Sequence, residues 1–383
     1  MDFELSDEQR LLVDSVNNFV KKDSPVERFR KQRDVEPGFS REIWAQMGEL
    51  GWLGLPFPES AGGLGTGFLD AALVLERLGT TLVPEPYIPS VLLSGMALCK
   101  AGSAAQQERW LAPMIAGKST LSLAYAEKDS RHDVAHVTVR ADKQGGDYVL
   151  RGDKRWVLGG DSADVILVSA RSAGEANDAR GVSLFAIERG AKGLSSTPLK
   201  TMDGRRAAHI ELKDVRVPAE ARIGQEGTAV PLLEELLDIG AAAACAEGAG
   251  VLESVMQMTR DYLCERVQFG APIGSFQALQ HRAVDMFIEL QLCKATMLLA
   301  ALKVDANEAE RKRAISTAKV QLSQGGQFVT RQAIQLHGGI GVTDEHNVGL
   351  YFKRMQVLCA LFGDEEHHVS RFSRLPSFEP ASA

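Results

Sequence analysis

Two stretches near the C-terminus constrain the architecture most. Phe276 to Ala306 and Asn307 to His337 each keep helical spacing of apolar residues, with no proline to interrupt it. Helices of that length take most of their stability from burying an apolar face against neighbours. Long helices joined by short connections predict an antiparallel four-helix bundle over residues 226–383. Its first helix carries a small-residue face, Ala241 to Ala244 with Gly248 and Gly250, which lets another helix approach closely. The tail beyond Pro376 is expected to fray.

The rest of the chain divides in two by periodicity. Residues 1–118 read as shorter helices. Ser6 with Gln9 forms a capping box ahead of Leu12, Val16 and Val20. Ser40 opens a helix through Ile43, Trp44, Met47 and Leu50, which Gly51 ends. Leu64 to Leu78, Tyr87 to Ala101 and Gln106 to Ile115 are predicted to be helical as well. Residues 119–225 switch to strand alternation. Val137 and Val139, the turn Gln144-Gly145-Gly146-Asp147, and Tyr148 to Leu150 spell a hairpin. Val165 to Val168, Val182 to Ile187 and His209 to Val217 are further predicted strands. The expected fold class is therefore α+β and mostly α: a helical domain at 1–118, a β-barrel or sandwich domain at 119–225, and a four-helix bundle at 226–383.

Composition narrows the function. With 45% hydrophobic and 24% charged residues the chain is not intrinsically disordered. A net charge of −7 speaks against a nucleic-acid partner, which needs a basic face. The five cysteines, at 99, 245, 264, 293 and 359, are scattered and unpaired in spacing, so they read as buried free thiols in a reducing compartment. The acidic start MDFELSDEQR lacks the apolar core of a secretory signal, and no apolar run is long enough to span a membrane. The expectation is a cytoplasmic protein without a membrane partner. The adjacent His367 and His368 point about 100° apart on a helix, with no third ligand placed by spacing, so no metal site is expected.

Two motifs remain that can carry chemistry. Arg266-Val267-Gln268-Phe269-Gly270-Ala271-Pro272-Ile273-Gly274-Ser275-Phe276-Gln277 joins a cation, a flat ring and a glycine turn between two long helices. Its arginine can hold an anion with two parallel hydrogen bonds, or it is a surface residue of a plain connection. Gln335-Leu336-His337-Gly338-Gly339-Ile340-Gly341 follows a helix; its glycines either end that helix or let backbone approach a ligand.

Taken together, R-x-x-F-G-x-P-I-G-x-F-Q followed by Q-x-x-G-G-x-G resembles the flavin-dependent acyl-CoA dehydrogenases, and the helix–β–helix order matches that family's three-domain fold along nearly the whole chain. The resemblance implies FAD as cofactor and an acyl-CoA substrate. It implies that Arg266, Gln268, Phe269, Gln335, Gly338 and Gly339 bind the FAD of a neighbouring subunit. The family's own-flavin motif, T-E-P-x-A-G-S-D, has drifted to Ala126-Glu127-Lys128-Asp129-Ser130-Arg131-His132-Asp133. The family's W-I-T becomes Trp156-Val157-Leu158; Trp156 can still cover the flavin or anchor a domain interface, while Leu158 has no hydroxyl to donate.

The family abstracts the substrate α-proton with a glutamate in a Y-E-G-T motif. Here that stretch is Leu361-Phe362-Gly363-Asp364, with Phe362 at the glutamate position. The alternative family position falls at Gly240 beside Ala241, so no catalytic residue is assigned; Asp238 and Asp364 to Glu366 are the nearby acids. The chain thus keeps what serves a neighbour's FAD and loses what serves its own. With M-D-F-x-L-S-D-E-Q-R-L-L at the start, G-L-P-F-P-E at 54–59 and L-F-G-D-x-x-H-H at 361–368, it resembles the small subunit of heteromeric bacterial acyl-CoA dehydrogenases of the pimeloyl-CoA and steroid side-chain types. That implies a paralogous large subunit as partner, in a dimer or tetramer, and an electron-transferring flavoprotein as electron acceptor. Two other readings stay open: a self-sufficient homomeric dehydrogenase with an unconventional base, and a flavin-free scaffold of the same fold.

Overall fold

The computed structural model describes residues 5–376. The first four residues of the N-terminal signature and the tail from 377 onward lie outside the described residues. The chain forms two compact units, one of residues 30–71 and 84–240, the other of 1–29, 72–83 and 241–383.

The first unit is built on an eight-stranded sheet. Its strands are β1 (Leu121–Ala124), β2 (Arg140–Gln144), β3 (Asp147–Leu158), β4 (Val165–Arg171), β5 (Val182–Glu188), β6 (Leu194–Lys200), β7 (Arg206–Pro218) and β8 (Arg222–Ile223). The order is β6-β7-β3-β2-β4-β5-β8, with β1 parallel to β4. The predicted hairpin is present: Gln144 pairs with Asp147 around Gly145-Gly146. Every residue of β4 is buried, which is why it reads as a continuous apolar run rather than an alternation. β6 was not predicted from sequence. Its LSSTPLK is almost wholly exposed and contains Pro198, as suits an edge strand that pairs on one side only.

Helices flank the sheet in this unit. Ser40 caps Arg41–Glu49 as predicted, and the buried Trp44 donates its indole N–H to Ser119 O at 3.0 Å. The predicted helix at 87–101 is irregular: Ile88–Gly95 winds as a π-helix and only Met96–Ala101 is α-helical. Within the wide turns, Ser90 Oγ donates to Leu121 O at 2.8 Å and accepts from Leu121 N at 3.0 Å, so this segment hydrogen-bonds the backbone of β1.

The second unit is helical. Asp7–Lys22 begins with the predicted capping box. The long helix Ala229–Glu265 belongs to this unit from residue 241 on; it is followed by Gln277–Lys303, then a run of Glu308–Gln321, a π-turn at Leu322–Gly326 and Gln327–His337, then Val348–Ala360 and Glu365–Ser373. The predicted helix at 64–78 spans Phe68–Gly79. Of the cysteines expected to be buried, Cys245, Cys293 and Cys359 are; Cys99 is half-buried, and Cys264 is exposed because it lies in the last turn of its helix.

The small-residue face does bring backbones together. A Cβ at Gly250 would lie 1.8 Å from Glu76 O, and one at Gly79 would lie 2.3 Å from Glu247 O. Only glycine permits that crossing. Charges and hydrogen bonds surround it. Arg77 forks onto Glu253 at 2.9 and 2.6 Å, and Lys294 bridges Glu253 at 2.5 Å and Glu76 at 3.1 Å. The buried Arg354 forks onto Glu247 at 2.8 and 2.6 Å. Tyr351 and Ser254 both donate to Thr80 O, at 2.6 and 2.7 Å.

Burial pushes the Glu253 carboxyl up, but hydrogen bonds and charge from Arg77 and Lys294 outweigh it and hold the group at about 2 against an ordinary 4.5. A folded-state value below the unfolded one stabilises the fold above about 4.5, and that stability is lost as pH falls towards 2. E253Q is therefore expected to lower the urea midpoint at pH 7. The gap from wild type should close as the titration is repeated at pH 4 and pH 3.

Candidate functional site

The two motifs of the helical unit meet at one end of it. The helix Ala229–Glu265 stops one residue before Arg266, whose N–H still donates to Tyr262 O at 2.9 Å. The chain then forms a miniature hairpin in which β9 (Val267–Gln268) pairs with β10 (Ala271–Pro272). Phe269 and Gly270 make its two-residue turn, both at positive φ, 53° and 80°. That geometry suits the hairpin twist but strains a non-glycine residue by about 1–3 kcal/mol. Phe269 at the tip is 96% exposed, and its ring lies edge-on to that of Phe276 with centres 6.1 Å apart. Ile273 N donates to Arg266 O at 2.8 Å, which closes the loop and leaves the guanidinium in solvent with no ion pair among the described residues. Gln268 is exposed and folds back on Val267 O at 2.7 Å.

The glycine turn lies beside this hairpin. Tyr262, one turn before Arg266, stacks on His337 with ring centres 4.6 Å apart, and His337 in turn meets His346 at 4.5 Å. His337 Nδ1 donates to Ala333 O at 2.8 Å, because a carbonyl only accepts. Burial lowers the pKa of this ring and keeps it neutral. Gly338 follows at φ 62°, and a Cβ on Gly338 or Gly339 would meet nothing within 4 Å. These two glycines are not set by packing, unlike Gly341, whose Cβ would lie 2.7 Å from Ile334 O. Gln335 is exposed on the same turn of helix.

A free guanidinium, a projecting flat ring and backbone open to close approach fit a cofactor with a diphosphate and an aromatic end, such as FAD. The structure thus brings Arg266, Gln268 and Phe269 together with Gln335, Gly338 and Gly339. Trp156 belongs to the other compact unit. There, pairing of β3 with β7 slips between Lys154 and Val157, so that Arg155 and Trp156 bulge opposite His209. The bulge sets Trp156 at φ 55° and turns its ring outward, 62% exposed.

The drifted stretch at 126–133 rests on a buried ion pair. Lys154, fully buried, gives Glu127 a hydrogen bond at 2.6 Å and Ser169 one at 2.8 Å. Glu127 also accepts from Thr138 N at 2.7 Å and Val139 N at 3.2 Å. Ser130 Oγ in turn accepts from Glu127 N at 3.0 Å. Glu127 is therefore spent on holding the segment in place.

Phe362 is buried, at φ 59°, between two helices. Its carbonyl accepts from His368 Nε2 at 3.1 Å. Burial, with Lys319 nearby, drives His368 down to about 2, so the ring is neutral and its Nε2 carries the proton. The buried Lys319 donates to the carbonyls of Leu358, Cys359 and Leu361 at 2.7, 3.1 and 2.8 Å. It neutralises the C-terminal end of Val348–Ala360 and fixes the entry to the Phe362 turn. Asp364 caps the next helix by accepting from His367 N at 2.9 Å, and Glu365 accepts from Gln324 at 2.7 Å. Asp238 is buried, and Gly240 and Ala241 lie inside a helix.

Sequence reading missed Tyr262 and Lys319, and it named His337 and His368 without foreseeing their contacts. Tyr262 and His337 could have been suspected, since each immediately flanks a motif. The roles of Lys319 and His368 carried no signal, because their partners are backbone carbonyls that no residue type encodes.

Family models for the N-terminal, middle and C-terminal domains of acyl-CoA dehydrogenase match residues 6–118, 122–215 and 227–374. The acyl-CoA dehydrogenase FadE27 of Mycobacterium tuberculosis is 31% identical, with all of both chains covered. Among solved structures, a chain of the ChsE4–ChsE5 complex from Mycobacterium tuberculosis superposes with a TM-score of 0.88 at 30% identity over all of both chains. The FAD complex of PigA does so with a TM-score of 0.90 at 25% identity, over 98% of each chain.

E127Q should leave the Lys154 ammonium buried without its counter-charge, which typically costs about 3–5 kcal/mol. Burial already lowers Lys154 to about 8, partly offset by Glu127, and losing that partner lowers it further. The unfolded chain then binds more protons than the folded one, so folding strengthens as pH rises. Urea unfolding of E127Q is expected to show a large deficit at pH 6 that shrinks at pH 9.

Proposed function

Since this chain belongs to the acyl-CoA dehydrogenase family, we propose that it acts as the small subunit of a heteromeric FAD-dependent enzyme that introduces an α,β double bond into an acyl-CoA thioester. In this reading it completes the FAD site of a paralogous large subunit and lacks the usual catalytic glutamate. The observation that carries it is the turn at Phe362. A buried aromatic ring stands where the family resemblance places the base, and the nearest acid, Asp364, caps a helix. Likeness to a chain of the two-protein ChsE4–ChsE5 complex supports a heteromer.

FAD, when bound, supplies the acceptor for a hydride from the acyl β-carbon. The Arg266 guanidinium would neutralise its diphosphate, and the open backbone at Gly338 and Gly339 would let the cofactor settle against the turn. Gln268 and Gln335 would donate at the edge of that site, and Phe269 would offer an apolar face. Trp156, in the middle block, belongs to the motif for the chain's own flavin and stands apart from this neighbouring site. The blocks 1–118, 119–225 and 226–383 then divide the labour, with diphosphate contacts in the last. The α-proton must pass to a carboxylate outside this chain, and the large subunit supplies it. An electron-transferring flavoprotein accepts the electrons afterwards.

The chain is to be purified alone and co-expressed with its paralogue, and flavin absorbance read per mole of protein. Flavin at full ratio only in the co-expressed complex is the expected result, whereas full flavin in the chain alone would overturn the reading. In the complex, R266A should remove a charge-assisted contact of about 1.5–3 kcal/mol. That corresponds to FAD retention weaker by about tenfold to a hundredfold, measured by ultrafiltration.

A further inference from the structure

A cleft of about 570 Å³ opens in the sheet unit, and all the residues that line it lie within 30–71 and 84–240. It is formed by the turn Gly160–Ala163 after β3, the segment at Glu36 and Pro37, the start of β4 and the edge strand β6, with Arg41 and Arg189 among its lining. A space of this size takes a small organic molecule. The Arg266 hairpin and the Gly338 turn belong to the other unit and have no part in it.

The polar groups of the cleft are of two kinds. Those of the turn accept. Asp161 Oδ1 is buried and has no hydrogen-bond partner among the described residues. Burial pushes this carboxyl above its ordinary range, although Arg206 pulls it the other way. The hydroxyl protons of Ser162 and Ser196 point back to the turn itself, to Gly159 O at 3.3 Å and Gly160 O at 3.1 Å, so only lone pairs are left to a ligand. Arg189 donates. Its backbone N–H is fixed on Asp164 O at 2.9 Å, while its exposed guanidinium has no ion pair or hydrogen bond among the described residues. The other charges are matched: Arg41 forks onto Asp164 at 2.6 and 3.1 Å, and Glu36 lies 4.0 Å from Arg206. Among the charged residues that line the cleft, one carboxylate oxygen and one guanidinium therefore stand without partners. Pro37, Ile166 and Leu194 supply apolar surface beside them.

We propose that this cleft binds a small zwitterion with an apolar body, of the amino-acid kind. Its ammonium donates to Asp161 Oδ1, its carboxylate pairs with Arg189, and its side chain lies against Pro37, Ile166 and Leu194. A buried carboxylate oxygen without a donor is unfavourable, and a ligand ammonium relieves it with a charge-assisted bond. A cation alone leaves the guanidinium unmatched, and an anion alone leaves Asp161 as it is. Both poles on one molecule answer both groups.

The test is titration calorimetry on the full chain, alone and in the complex with its paralogue. Three probes are compared: L-phenylalanine, which carries both poles, 2-phenylethylamine, which carries the ammonium, and 3-phenylpropionate, which carries the carboxylate. L-phenylalanine is expected to bind saturably, and each single-pole probe to bind more weakly by about tenfold or more. D161N should weaken L-phenylalanine and 2-phenylethylamine and spare 3-phenylpropionate. R189Q should weaken L-phenylalanine and 3-phenylpropionate and spare 2-phenylethylamine. Arg189 is on the surface, so R189Q keeps the test open even if D161N disturbs the turn. No saturable binding of L-phenylalanine up to about 10 mM, or binding that neither variant changes, would overturn the proposal. So would single-pole probes that bind as tightly as the zwitterion. Flavin plays no part in the readout, so the result is independent of the proposed cofactor role.

Discussion

A backbone-to-backbone crossing at Gly250 and Gly79 underlies the helical unit. No side chain fits between Gly250 and Glu76 O, so the two helices touch directly. That contact brings Glu76, Arg77, Glu253 and Lys294 within reach of one another, and the pairing of opposite charges makes their partial burial tolerable. It also fixes the course of the long helix towards its end at Glu265, from which the Arg266 hairpin projects. Tyr262, one turn earlier, then holds the glycine turn through its stack on His337. The candidate cofactor surface thus inherits its geometry from a pair of hydrogen atoms twelve residues and more away.

Much of this was legible from spacing. Helical periodicity predicted the long helices, Ser6 and Ser40 their caps, and Gly145-Gly146 the hairpin, because each is a local rule that the fold obeys. β6 was invisible, since an edge strand exposed on nearly all its length has no apolar alternation to read. The π-helical turns at 88–95 and 322–326 were also illegible, because hydrophobic spacing does not report hydrogen-bond register. In the candidate site, Arg266 and Gly338 stand out in the sequence because they sit in recognisable motifs, each with a plain structural use beside a binding one. The hydrogen bonds of Lys319 and His368 to backbone carbonyls leave no such mark.

Among the non-glycine residues with left-handed backbone, Trp156, Phe269 and Phe362 are aromatic. Each lies in a stretch that the family resemblance marks for cofactor or substrate, as does Arg131 in the drifted flavin motif. Strain of this kind persists only where the surroundings over-determine it. A bulge does so for Trp156, a two-residue hairpin for Phe269, and the turn between two helices for Phe362. The first two turn their rings outward; the third turns its ring in.

The turn at Phe362 has an evolutionary implication. Lys319 and His368 grip the carbonyls around it and make no use of the Phe362 side chain. Its backbone is therefore held the same way whatever residue stands there, as a bracket holds its angle after the lamp has been removed. On the reading that an ancestor carried a carboxylate at this place, the acid could be discarded without loosening the protein. On that proposed reading, the mounting stays while the chemistry passes to a sister chain.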